Sequence, residues 1–210
     1  MLREQPEPSL TARHLSDPDP RRREVGLATN SIAAVGERTV RRVVTGTADG
    51  VSRVSRDDLV RPVTVSALPG YAWHRLWSLD DSPTDPPSAE VEGPLAHFPP
   101  PGGIRFNLYT VPPQQSHASG PLSAEAEREL EELLPGRTAY MESDQSGMHR
   151  TPSVDLICVL SGEIWLELEA EEVHLREGDC VVQNGARHAW RNKGDRPCTM
   201  AIVLVGAGAG

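Results

Sequence analysis

Three side chains in the C-terminal third of the sequence have the types and spacing to do chemistry: His149, Asp155 and His188. Two neutral imidazoles and a carboxylate form a ligand set that leaves positions open on a metal ion. The set suits non-haem Fe(II), and Zn, Mn, Co and Ni accept the same donors. No thiolate is among them, which weakens the case for a structural zinc site. Such a centre either activates O₂ beside a bound substrate or acts as a Lewis acid on a carbonyl, for isomerisation, cyclisation, dehydration or decarboxylation. The Lewis-acid route needs a base near the metal, and only His97 or His117 offers one, if its loop folds over the site.

Strands must position these groups. Side chains two apart in a strand share a face, so His149, Thr151 and Asp155 point one way, and Ile157 and Val159 continue that face as apolar filling. After Gly162, "EIWLELE" alternates with Ile164, Leu166 and Leu168 on one face. A turn follows at Gly178-Asp179 and another at Asn184-Gly185, the latter a strong hairpin signal between apolar runs. His188, Trp190 and Asn192 again share a face, and the apolar run from Pro197 to Val205 reads as a strand buried on both sides.

The stretch His149-x-Thr151, Asp155, Gly162, then Gly178, Gly185, His188 and Asn192 resembles the two motifs of the cupin superfamily. It departs from them in four places: Gly147 stands too close to His149 to be the opening glycine, Thr151 stands where a second histidine is usual, Asp155 where a glutamate is usual, and Gln183 near the proline position. The resemblance implies an all-β fold, a cupin jelly-roll β-barrel with an N-terminal β extension and one short helix. It implies a divalent metal ion, Fe(II) first and Zn, Mn or Ni as alternatives, held by His149, Asp155 and His188. Thr151 would line the open face, and Trp190 and Asn192 would stand beside His188 as a hydrophobic wall and a support. It also implies a homodimer, since strands ahead of such a barrel often pair with its edge or exchange with a second subunit.

The rest of the chain is read around that core. Residues 1–35 are polar and proline-rich and read as a disordered tail. In 36–112, "TVRRVVTG" and "VSRVSRD" form a hairpin about Asp49-Gly50, with further strands at Trp73 to Leu79 and Ile104 to Val111. All of these are expected to pack on the barrel. In the last strand Arg105 either faces the barrel and holds a substrate carboxylate, or faces solvent. Residues 113–148 hold a loop and one helix, N-capped by Ser123 and ended by Pro135-Gly136. The helix either covers the barrel mouth or, as favoured, packs on the exterior. The barrel itself is placed at 149–205, once in the chain, as no internal repeat is visible.

Composition narrows the function classes. The 210 residues carry a net charge of −9. Residues 76–210 hold most of the acids, so nucleic acid is an unsuited partner. No apolar run is long enough to span a membrane, and the N-terminus lacks a secretory layout. Three cysteines without metal-type spacing read as buried reduced thiols of a cytoplasmic protein. The expectation is a metal-dependent enzyme acting on a small-molecule substrate, by oxygenase-type or Lewis-acid chemistry. The alternative is a non-catalytic binding barrel, and ligand binding that survives loss of both His149 and His188 would favour it.

Overall fold

The computed structural model describes residues 38–84, 95–114, 122–142 and 147–208. The expected tail at 1–35 and His117 lie outside them. The chain folds as an antiparallel jelly roll of two facing sheets. The larger has the order β3-β4-β10-β5-β8 and the smaller β7-β6-β9. The strands are β3 (Ala72–Leu79), β4 (Ile104–Val111), β5 (Ser153–Ser161), β6 (Glu163–Leu168), β7 (Glu172–Arg176), β8 (Cys180–Asn184), β9 (His188–Arg191) and β10 (Cys198–Gly206). Ahead of them, β1 (Val40–Ala48) and β2 (Val51–Val60) pair only with each other.

The period-2 pattern decides which face is inside. In β10, Cys198, Met200, Ile202 and Leu204 are buried while their neighbours are half-buried. They meet Ile157 and Val159 of β5, Ile164 and Leu166 of β6 and Leu175 of β7 in one core, so the two sheets share their inner faces. The β5–β6 turn depends on Gly162. Its φ is +78°, and a Cβ there would lie 2.6 Å from the Pro197 carbonyl oxygen. The β1–β2 turn falls at Asp49-Gly50, both with positive φ as a two-residue hairpin turn requires.

Two expectations change. Strands β3 and β4 are not additions to a barrel confined to 149–205. Strand β10 lies between β4 and β5, so the larger sheet needs both halves of the chain. Only the β1–β2 hairpin stands apart as an extension. Of the cysteines, Cys198 is buried but Cys158 is half-buried and Cys180 exposed. The latter two sit on the outward phase of β5 and β8. Helix α1 (Ala124–Leu133) begins at Ser123, whose hydroxyl accepts from Ala126 N at 3.2 Å. It packs on the flank of the barrel through Leu130 and Leu134, which contact the cluster of Val65 and Trp73. Among the described residues no helix is long and apolar enough to cross a membrane.

Candidate functional site

The two histidines meet through their backbones before their rings do. His149 and His188 exchange both backbone hydrogen bonds, each 2.9 Å, in an isolated antiparallel bridge. This sets the ring centroids 4.3 Å apart. Arg187 clamps the neighbourhood with a bidentate contact to Glu142, both bonds 2.5 Å. Each ring is then locked by the carbonyl two residues before it: His149 Nδ1 lies 3.0 Å from Gly147 O, and His188 Nδ1 lies 3.0 Å from Ala186 O. A carbonyl only accepts, so both rings carry their proton on Nδ1 and present a lone pair at Nε2. Burial holds both imidazoles neutral, lowering His149 to about 4 and His188 in the same direction.

Asp155 is buried on the inward phase of β5. Ser153 Oγ stands 2.6 Å from Asp155 Oδ1 and 2.9 Å from Thr151 Oγ1. A serine has one hydrogen to give. The shorter contact, to the carboxylate, takes it, and Thr151 then donates to Ser153. Burial raises Asp155 to about 6, with the Ser153 bond opposing the rise.

His149, Asp155 and His188 line one cleft of about 590 Å³, counted with its open mouth. Trp73, Phe98, Tyr109 and Trp190 form apolar walls, and Trp190 stands edge-on to His188 at 5.8 Å. Tyr71, Trp73 and Tyr109 stack beside it. Arg137 is the basic guanidinium in the lining. Its Cζ lies 5.9 Å from the Trp73 ring centroid, and it lines the cleft together with Tyr109. His97 also lines the cleft, edge-on to Trp73 and Phe98. The loop that carries it thus lies against the site, and burial holds it neutral down to about 3.

Several expected site residues have other work. Arg105 is buried, with its donors directed at the Leu79, Ala96 and Ile104 carbonyls and at Asp80. It shares the inward phase of β4 with Asn107 and Tyr109 of the cleft, but these partners take up its guanidinium, so it braces the β3–β4 end and is absent from the cleft lining. Asn192 donates to Val111 O and Arg196 O and accepts from Gly194 N. It ties the loop before β10 to β4, away from His188. Thr151 is buried against Ser153 and lies outside the cleft lining.

The compact three-ligand metal group is likewise not assembled. Among the described residues no three His, Cys, Asp or Glu side chains gather closely enough to hold a metal ion. Two differences from the usual motif account for it. Thr151 removes one imidazole, and Asp155 is one methylene shorter than glutamate and is held by Ser153. The imidazole pair fits a metal ion by its tautomer and charge state. Asp155 lines the same cleft with Oδ1 held by Ser153, and a ligating carboxylate can keep such a bond.

Residues missed by the sequence reading are Ser153, Arg137, Tyr109 and Trp73. Ser153 had a signal, the shared parity with Thr151 and Asp155. The other three come from α1's exit and from β3 and β4, and only the folded sheet order brings them to the histidines.

Comparison with known proteins agrees in part. Residues 136–205 match the family described as Cupin domain. The chain is 50% identical over 67 residues to Phomopsin biosynthesis cluster protein D of Diaporthe leptostromiformis, covering 29% of this chain and 35% of that protein. It is 49% identical over 58 residues to Oryzines biosynthesis cluster protein J of Aspergillus oryzae, covering 27% and 32%. The chain thus spans about a third of the curated relatives it matches. Among solved structures, the Schizosaccharomyces pombe Cnp3 cupin domain aligns over 79% of this chain and 87% of that one, at 9% identity and a TM-score of 0.41.

Proposed function

Residues 136–205 place this chain in the cupin superfamily, and from that premise we propose that it is a metal-dependent enzyme acting on a small organic metabolite in a biosynthetic pathway. One observation carries the reading: both imidazoles are fixed as Nδ1–H tautomers, with both Nε2 lone pairs left for the cleft. A carbonyl bond at the far nitrogen is the usual way a ligating histidine is oriented. His149 and His188 would hold the ion, Fe(II) first and Zn, Mn or Ni as alternatives, with Asp155 as third donor through the oxygen that Ser153 does not hold. A bound Fe(II) would supply oxygen activation, and any of these ions Lewis-acid polarisation of a carbonyl.

The chain's own residues do the rest. Arg137 is placed to hold an anionic oxygen of the substrate, and the Trp73, Tyr109 and Trp190 walls to take its ring or alkyl part and exclude water. The matched stretches of proteins named for phomopsin and oryzine biosynthesis support a small-molecule pathway. Anaerobic calorimetric titration with Fe(II), Zn(II), Mn(II) and Ni(II) tests the metal part. We expect near-stoichiometric binding of at least one ion, lost in His149→Ala and His188→Ala. Wild-type protein that binds none of the four would sink the metal reading.

A second reading is favoured by Asp155 itself. A carboxyl group raised to about 6 inside an apolar cleft is poised as a general base near neutral pH. Under this reading Asp155 moves a substrate proton without a metal, and His149 and His188 accept hydrogen bonds from substrate hydroxyls.

A further inference from the structure

Away from the cleft, on the outer wall of the larger sheet, Cys158 of β5 and Cys180 of β8 are directly paired across the strands. The inward phase here belongs to Ile157 and Val159, so both thiols project from the opposite face. Their position in the ladder matters. One residue along, Val159 N donates to Asp179 O at 3.0 Å, which makes that neighbour the hydrogen-bonded pair. Cys158 and Cys180 therefore occupy a non-hydrogen-bonded position, where Cα atoms lie about 4.5 Å apart and side chains approach most closely. That spacing falls within the roughly 4.4–6.8 Å that a disulfide spans.

The side chains agree with the backbone. Cys158 Sγ lies 3.9 Å from Val159 O and Cys180 Sγ 3.8 Å from Gly178 O, and the neighbouring Cys180 thiol is the leading cause of a raised Cys158 pKa. Cys180 is exposed and Cys158 half-buried, so one is open to a reagent and the other stands behind it. Cys198 is fully buried in the core and takes no part.

We propose that Cys158 and Cys180 form a redox-modification site, a cross-strand dithiol that closes to a disulfide by exchange with a low-molecular-weight disulfide such as oxidised glutathione. The exposed Cys180 thiolate attacks the small disulfide and releases one thiol, leaving a mixed disulfide on the protein. The Cys158 thiolate then attacks the Cys180 sulfur and releases the second thiol. The protein dithiol is oxidised, the small disulfide is reduced to two thiols, and the two protein thiol protons end on them. The product staples β8, the edge strand of the larger sheet, to β5, the strand that carries Asp155. None of this depends on what the cleft does.

The test uses the full-length reduced protein, equilibrated in glutathione buffers from reducing to oxidising, acid-quenched, alkylated and mapped by mass spectrometry. We expect Cys158 and Cys180 to be lost to alkylation together. One intramolecular cross-link should form, with a mass lower by two hydrogens, independent of protein concentration and reversed by dithiothreitol. In Cys158→Ser, Cys180 should instead accumulate as an unresolved glutathione adduct. A wild-type protein that keeps both thiols reduced throughout, retains the glutathione adduct on Cys180, or cross-links only between molecules would overturn the proposal. The wild-type result decides it, so a folding defect in the variant does not remove the test.

Discussion

Asp155 is the residue whose charge the fold opposes most usefully. Its folded pKa is about 6 against 3.8, so its contribution to stability is complete below 3.8 and is lost as pH rises through 6. A rise of that size corresponds to about 3 kcal/mol at neutral pH. Asp155→Asn keeps an oxygen for Ser153 and removes the buried charge. We expect it to raise the stability of the metal-free protein by about 2–3 kcal/mol near neutral pH in urea unfolding, a gain that fades as pH falls towards 4. His97 and His149 act in the opposite sense. Their folded values, about 3 and about 4, lie below 6.5, so their contribution is complete above 6.5 and is lost on acidification. Asp155 partly offsets that loss, and the Asn variant should show a steeper decline between about pH 6 and pH 4. At this scale strand parity gave the side on which the histidines and Asp155 lie, and all three line one cleft. The role of Arg105 was not legible there, because parity tells which residues share a face and not what the neighbouring chain brings to it. Leu79 O, Ala96 O and Asp80 turned a candidate substrate clamp into a brace.

Turns set the register that brings these residues together. Gly162 and Gly178 both have positive φ, but a Cβ at Gly162 meets the Pro197 carbonyl and the Cys198 backbone, while one at Gly178 meets nothing within 4 Å. Gly178→Ala should cost about 1–2 kcal/mol, the strain of the left-handed conformation. Gly162→Ala adds a backbone collision and should cost about 2–4 kcal/mol. Equal losses in urea unfolding would contradict the close approach of β10 to that turn. The elements themselves were largely written in the sequence. The Asp49-Gly50 hairpin, the strand Ile104–Val111 and the Ser123-capped helix follow from turn chemistry, alternation and capping. Their partners did not follow, since β10 inserting between β4 and β5 is a long-range pairing that no local pattern encodes.

At the level of the whole molecule, two features remain after the barrel has closed. One is the β1–β2 hairpin, a two-stranded ribbon paired with no other strand among the described residues, which exposes Val43, Val51, Val54 and Leu59. Such a ribbon is marginal by itself in water. We expect a homodimer in which a second copy covers it. Sedimentation velocity at micromolar concentration should show a dimer, converted to monomer by Val51→Ser, Val54→Ser and Leu59→Ser together; a monomeric wild type would remove this expectation. The other feature is the cleft, on which the functional account depends. There the fold delivers two neutral imidazoles with their lone pairs free at Nε2. Nitrogen-15 NMR of the imidazoles, taken on metal-free protein and after adding Zn(II), reads the tautomers and the lone pairs. We expect His149 and His188 both to carry the proton on Nδ1 at neutral pH, and Zn(II) to shift both Nε2 resonances together. Protons found on Nε2, or a pair of Nε2 resonances that Zn(II) leaves unmoved, would contradict that assignment.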